Sequence, residues 1–124
     1  MEHLTIEPYL QTPEVNFNPE SGIFLISGKA YPADAIEFFA PIIDYCVSYV
    51  NEAAPLTVLV CEIEYLNSAS QKQIVEVIQA LKPLLKKGKE FKVHWKYEEG
   101  DDDLYSVGEF IEHELEVPFE YKEL

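Results

Sequence analysis

The chain reads as a single α/β domain, residues 1–124, with a mostly parallel sheet of four to six strands and helices mainly on one face. Three observations predict this. Short apolar runs and amphipathic runs take turns along the sequence, the pattern of strand–helix–strand crossovers. The run Leu56–Ile63, LTVLVCEI, is apolar on both sides, as a central strand is. Phe91–Tyr97 alternates cleanly: Phe91, Val93, Trp95 and Tyr97 point one way, Lys92, His94 and Lys96 the other. That polar side, with Glu62 and Glu64 near the end of the central strand, leaves one sheet face partly solvated.

The elements follow in order. Thr5–Leu10 is an extended segment, broken by Pro8 and Pro13. Pro19-Glu20-Ser21-Gly22 is a turn signal, and Ile23–Ser27 a short strand ended by Gly28. Ala33–Asn51 has helical spacing, with Ile36, Phe39, Ala40, Ile43, Val47 and Val50 as one apolar stripe. Phe38, Ile42, Tyr45 and Tyr49 form a second stripe beside it, wider than a surface helix needs. Pro41 is expected to kink or restart this helix, because it cannot donate a backbone hydrogen bond. After the central strand a helix is predicted from about Ser70 to Lys87, its last turn distorted by Pro83 and its end marked by lysines and Gly88. Phe91–Tyr97 is the next strand. An acidic turn then leads into a helix over about Leu104–Leu115, and Phe119–Lys122 is the last strand. Right-handed crossovers in this β-β-α-β-α-β-α-β order give the mainly parallel sheet.

Composition narrows the function. A chain of 124 residues, 48% hydrophobic, is long enough for one proper core. No apolar run approaches the roughly 20 residues that span a bilayer, and Met1-Glu2-His3 lacks the basic flank of a signal peptide. A cytoplasmic location is the expectation. Cys46 and Cys61 sit in apolar segments and read as buried free thiols. Twenty-three acids face nine bases, all lysines, for a net charge of −14. Such a charge repels nucleic acid and anionic lipid, and it suits a partner with a basic surface as well as simple solubility.

Catalytic signatures are missing. His3, His94 and His113 are scattered, there is no G-x-S-x-G elbow and no glycine-rich phosphate loop. Asp101-Asp102-Asp103 reads as a helix cap rather than a cation loop. No metal and no cofactor are implied.

Ser68 stands apart because it lies where the central strand hands over to a helix. Such a turn holds a hydroxyl beside free backbone N–H groups at the positive end of a helix. From the residues alone two readings stay open: Asn67, Ser68 or Ser70 is an N-cap, or Ser68 is a site of modification.

Three stretches resemble the SiaC family of bacterial regulatory phosphoproteins, functional relatives of anti-anti-sigma factors. They are Gly28-Lys29-Ala30-Tyr31-Pro32 with Phe38-Phe39-Ala40-Pro41, then Tyr65-Leu66-Asn67-Ser68-Ala69-Ser70-Gln71-Lys72, then Val93-His94-Trp95-Lys96-Tyr97 with its acidic turn. In that family the middle stretch usually reads Asn-Thr-Ser-Ser and the threonine is phosphorylated; Ser68 is the matching residue. Ala69 replaces the next serine, and Ser70 is the rival acceptor. The resemblance implies a STAS-like domain in a partner-switching circuit. Its partners would be a serine/threonine kinase, a PP2C-type phosphatase and an output protein bound by the unphosphorylated form, in some members a diguanylate cyclase. Tyr31, Phe38, Ile42, Tyr45 and Tyr49 are the candidate partner surface. The alternatives are a constitutive binding module without phosphorylation, and an enzyme with an unrecognised site.

Overall fold

The computed structural model describes all 124 residues. Six strands form one sheet in the order of the chain: β1 Leu4–Ile6, β2 Glu14–Asn18, β3 Ile23–Ala30, β4 Leu56–Leu66, β5 Glu90–Tyr97 and β6 Phe119–Glu123. β1, β2 and β3 pair antiparallel; β3, β4, β5 and β6 pair parallel. The helices are α1 Ala35–Tyr49, α2 Ser68–Leu81, the short α3 Pro83–Lys86 and α4 Asp102–Leu115.

Alternation along the strands shows why the sheet is covered on one side. Val15, Phe17, Phe24, Ile26, Leu59, Cys61, Ile63, Phe91, Val93 and Trp95 point into one core with the buried faces of the helices. On the other side Glu62 meets Lys96 at 3.6 Å, and Glu120 meets Lys92 at 3.2 Å. Two structured layers therefore suffice, and the charged layer faces water.

Four features differ from the sequence reading. The strand Glu14–Asn18 was not foreseen; only Val15 and Phe17 in it are apolar, and asparagine and glutamate are poor strand formers. The extended segment at Thr5–Leu10 pairs only as far as Ile6. Of the kink or restart expected at Pro41, the restart is absent: α1 runs through it as one helix. The helix expected to reach Lys87 instead ends at Leu81, and Pro83 opens a separate turn at its first position, where its missing N–H costs nothing.

The sheet buries a different stripe of α1 from the one expected. Ala35, Phe39, Ile42, Cys46 and Tyr49 face the core, while Ile36 and Val47 are 70% and 57% exposed. Ile42 and Tyr49 therefore cannot form a partner surface. Tyr49 tolerates full burial because its hydroxyl shares a 2.7 Å hydrogen bond with Thr57 Oγ1 and accepts one from the Ala54 N–H. Phe38 and Tyr45 are half-buried on the outer flank, where Tyr45 packs on Phe17 and Phe24 and its hydroxyl donates to the Glu2 carbonyl.

Candidate functional site

Parallel strands put the C-terminal ends of β3 and β4 side by side, and α1 and α2 both start at that edge. The turn after β4 is fixed from two directions. The Asn67 N–H donates to the Ala30 carbonyl at 3.1 Å, tying the turn to the end of β3. The Asn67 side chain, in extended backbone geometry (φ −79°, ψ 168°), accepts from the Ser70 N–H at 2.8 Å. Asn67 is thus the N-cap, one of the best residues for that position.

Ser68 is the first residue of α2 and is exposed. Its N–H and that of Ala69 have no intrahelical acceptor, as the first turn of any helix requires. Ala69 is exposed as well, and α2 carries no acidic residue in its first turn. Ser70 is different: it is 0% exposed and its hydroxyl has no hydrogen-bond partner. Of the two rival serines, only Ser68 offers an accessible hydroxyl. None of the three histidines lies on this turn: His3 precedes β1, His94 is on β5 and His113 is in the last turn of α4.

Tyr31, named in the sequence only as part of a candidate partner surface, follows the end of β3 to which this turn is tied, and the fold adds neighbours. The Tyr31 and Tyr65 rings meet edge to face, 5.5 Å apart. The Tyr31 hydroxyl donates to the Leu10 carbonyl and its N–H to the Gln11 carbonyl, drawing the β1–β2 loop to the same edge. That loop exposes Tyr9 at 79% and Leu10 at 76%; Tyr65 is 53% exposed. On the other side of Tyr65, a hollow of about 280 Å³ is lined by Glu64, Leu66, Asp101, Asp103 and Val107. The edge around Ser68 is therefore aromatic with an acidic border. Asp101 itself caps α4 by accepting from the Leu104 N–H at 3.0 Å.

The open sheet face gathers a cluster that the sequence did not reveal. His94, Lys96, Glu120 and Lys122 line a hollow of about 290 Å³. Glu120 sits 2.8 Å from His94 Nε2, close but poorly aligned for a hydrogen bond, and bonds Lys92. Lys92 foremost, with His94, holds the Glu120 carboxyl below the ordinary carboxylate range. The pairing ties up that carboxylate across neighbouring strands, as ion pairs on an open sheet do. No three His, Cys, Asp or Glu side chains converge to hold a metal ion.

The fold is a one-sided α/β domain with an accessible hydroxyl, that of Ser68, at a helix N-terminus. The chain belongs to the SiaC family: the model described as SiaC family regulatory phosphoprotein matches residues 6–124. It is therefore a regulatory protein rather than an enzyme. An uncharacterized protein of Pseudomonas aeruginosa strain UCBPP-PA14 is 22% identical over 119 residues, 96% of this chain and 94% of that protein. Apo-SiaC from Pseudomonas aeruginosa has the same fold, with a TM-score of 0.88 at 21% identity over 98% of this chain and 99% of that one. So has a chain in the crystal structure of the diguanylate cyclase SiaD in complex with its activator SiaC from the same organism. There the TM-score is 0.89 at 21% identity, with the same coverage. No helix of this chain is long and apolar enough to cross a membrane.

Proposed function

We propose that the chain is a phosphorylation-switched binding protein acting in the cytoplasm. A serine/threonine kinase phosphorylates Ser68, a PP2C-type phosphatase reverses it, and the unphosphorylated form binds and regulates an output protein. The output we infer is a diguanylate cyclase, by analogy with the relative that is SiaD's activator. The observation that carries the reading is the contrast at the turn: Ser68 exposed at the start of α2, Ser70 sealed beneath it.

The mechanism is local. A phosphoryl group adds roughly −1.5 to −2 charge and three strong acceptors. The free N–H groups of Ser68 and Ala69 and the helix dipole favour it where it stands, so the fold tolerates it. The apolar edge of Tyr9, Leu10, Tyr31 and Tyr65 supplies a docking surface for the unphosphorylated form. A dianion at its edge must be desolvated on binding, beside Glu64, Asp101 and Asp103 that already disfavour negative charge.

Incubation with the cognate kinase and ATP, read by intact mass and peptide mapping, tests the assignment. One phosphoryl group on wild type and on Ser70→Ala, and none on Ser68→Ala, is the expected pattern. Phosphate on Ser70 alone overturns it. A chain that binds its output without ever being phosphorylated would be a constitutive module instead.

A further inference from the structure

Four of the nine lysines fall within Lys82–Lys89, a stretch that holds no acid in a chain with twenty-three of them. The fold sets this stretch at the opposite end of α2 from Ser68. None of Lys82, Lys86, Lys87 and Lys89 is paired with a carboxylate, although acids outnumber bases more than two to one. Lys82 caps α2 and meets the negative end of its dipole. Helix α3 is a single turn of four residues, too short to hold Lys86 and Lys87 in the same way. Solubility does not require these cations, since the net charge of −14 already supplies it.

The stretch is held in shape. Leu84 is fully buried, and its carbonyl accepts the N–H groups of both Lys87 at 3.0 Å and Lys89 at 3.1 Å, with Gly88 turning the chain at φ 76°. Leu85, 37% exposed, lines two hollows at once. The first, about 460 Å³, is completed by Gln79, Lys82, Pro83 and Lys86. The second, about 270 Å³, includes Leu56, Lys89, Lys92 and one acid, Glu90. Lys89 Nζ also reaches the Ala53 carbonyl at 3.4 Å, and Lys92 is held by Glu120.

We propose that this end of the domain docks an acidic segment of a partner protein, an extended stretch of aspartate and glutamate carrying one leucine-sized apolar side chain. Lysines on both sides of Leu85 select the charge. Leu56 and Leu85 receive the apolar side chain, and the fixed turn leaves little to order on binding. At physiological salt charge reaches only about 8 Å, so the segment meets these lysines rather than the acids of the far end. A bilayer fits less well, because interfacial attachment needs more apolar surface than two part-exposed leucines. A second copy of this chain would offer its acidic turn Glu98–Asp103, which contains no apolar residue. The site lies at the other end of α2 from Ser68 and does not rest on the reading of that residue.

The test is an NMR titration of the unmodified full chain with a synthetic acidic peptide of about ten residues, long enough when extended to cross both hollows, with leucine at its centre. Amide shifts are expected within residues 79–92 and at Leu56, and affinity should fall as salt rises. Lys82→Gln combined with Lys86→Gln should weaken binding at least about tenfold with unchanged circular dichroism, and Leu85→Ser, at an exposed site, should weaken it too. The proposal is overturned if the peptide causes no shifts, if the shifts lie elsewhere, or if these variants bind like wild type. Equal binding of a peptide with serine in place of leucine would reduce the contact to charge attraction and overturn it as well. So would dimers of the chain that the lysine variants abolish, or vesicles of phosphatidylserine and phosphatidylcholine that sediment the chain when the peptide does not bind.

Discussion

Asn67 and Ser70 divide the work of the turn that presents Ser68. Asn67 supplies one oxygen to the Ser70 N–H and one N–H to Ala30. Asn67→Ala should therefore cost about 1 kcal/mol, visible as a lower denaturant midpoint at unchanged slope. The Ser70 hydroxyl is buried with no partner, an arrangement that costs stability. Ser70→Ala should leave the chain as stable or more stable, and still phosphorylatable; a loss above about 1 kcal/mol would mean the hydroxyl has a partner after all. That a hydroxyl stands at this turn was legible from the residues. Which serine is accessible was not, because it depends on the phase of α2 against the sheet. The cysteines were legible from their apolar neighbours. Burial pushes both thiols up to about 12. A folded-state value above the unfolded one stabilises below about pH 9 and is lost as pH rises toward 12. Both thiols should resist iodoacetamide at pH 8 in the native chain and react once it is unfolded.

Helix α1 shows how an element can be found and still be turned the wrong way. Its apolar residues wrap so far round that they do not choose a buried face. Its polar residues do: Glu37, Asp44 and Ser48 sit at spacings of seven and four, opposite Phe39, Ile42 and Cys46. Weighing the polar side would have placed Ile42 and Tyr49 inside and Ile36 and Val47 outside. Helix α4 carries a sharper constraint. Gly108 lies against the Trp95 ring, so that a Cβ there would sit 2.6 Å from it, while Trp95 Nε1 donates to the Leu104 carbonyl at 2.9 Å. Gly108→Ala must push α4 off the sheet or turn the indole, at a cost of about 1–3 kcal/mol. A drop of several degrees in Tm is the expected reading; an unchanged Tm would mean that α4 shifts freely.

The whole molecule sets apart what changes on modification from what does not. The parallel half of the sheet and its one-sided cover followed from strand composition and the polar side of Phe91–Tyr97. The antiparallel β2 did not, because two apolar residues among asparagines carry too little signal, and pairing with β3 supplies the rest. Lys82, Lys86, Lys87 and Lys89 gather at the far end of α2 from Ser68. The fourteen residues between span about 21 Å, well beyond the roughly 8 Å reach of charge at physiological salt. These lysines cannot neutralise a phosphate on Ser68; the one base within a turn of it on α2 is Lys72, at i+4. Phosphorylation should leave circular dichroism and Tm almost unchanged. The most direct measurement of the central claim is a calorimetric titration of a diguanylate cyclase partner from the same cell with two homogeneous preparations, unmodified and carrying phosphoserine at position 68. The account predicts that the unmodified chain binds and the phosphorylated chain binds at least about tenfold more weakly, a difference of about 1.4 kcal/mol. Equal affinity of the two preparations would contradict it.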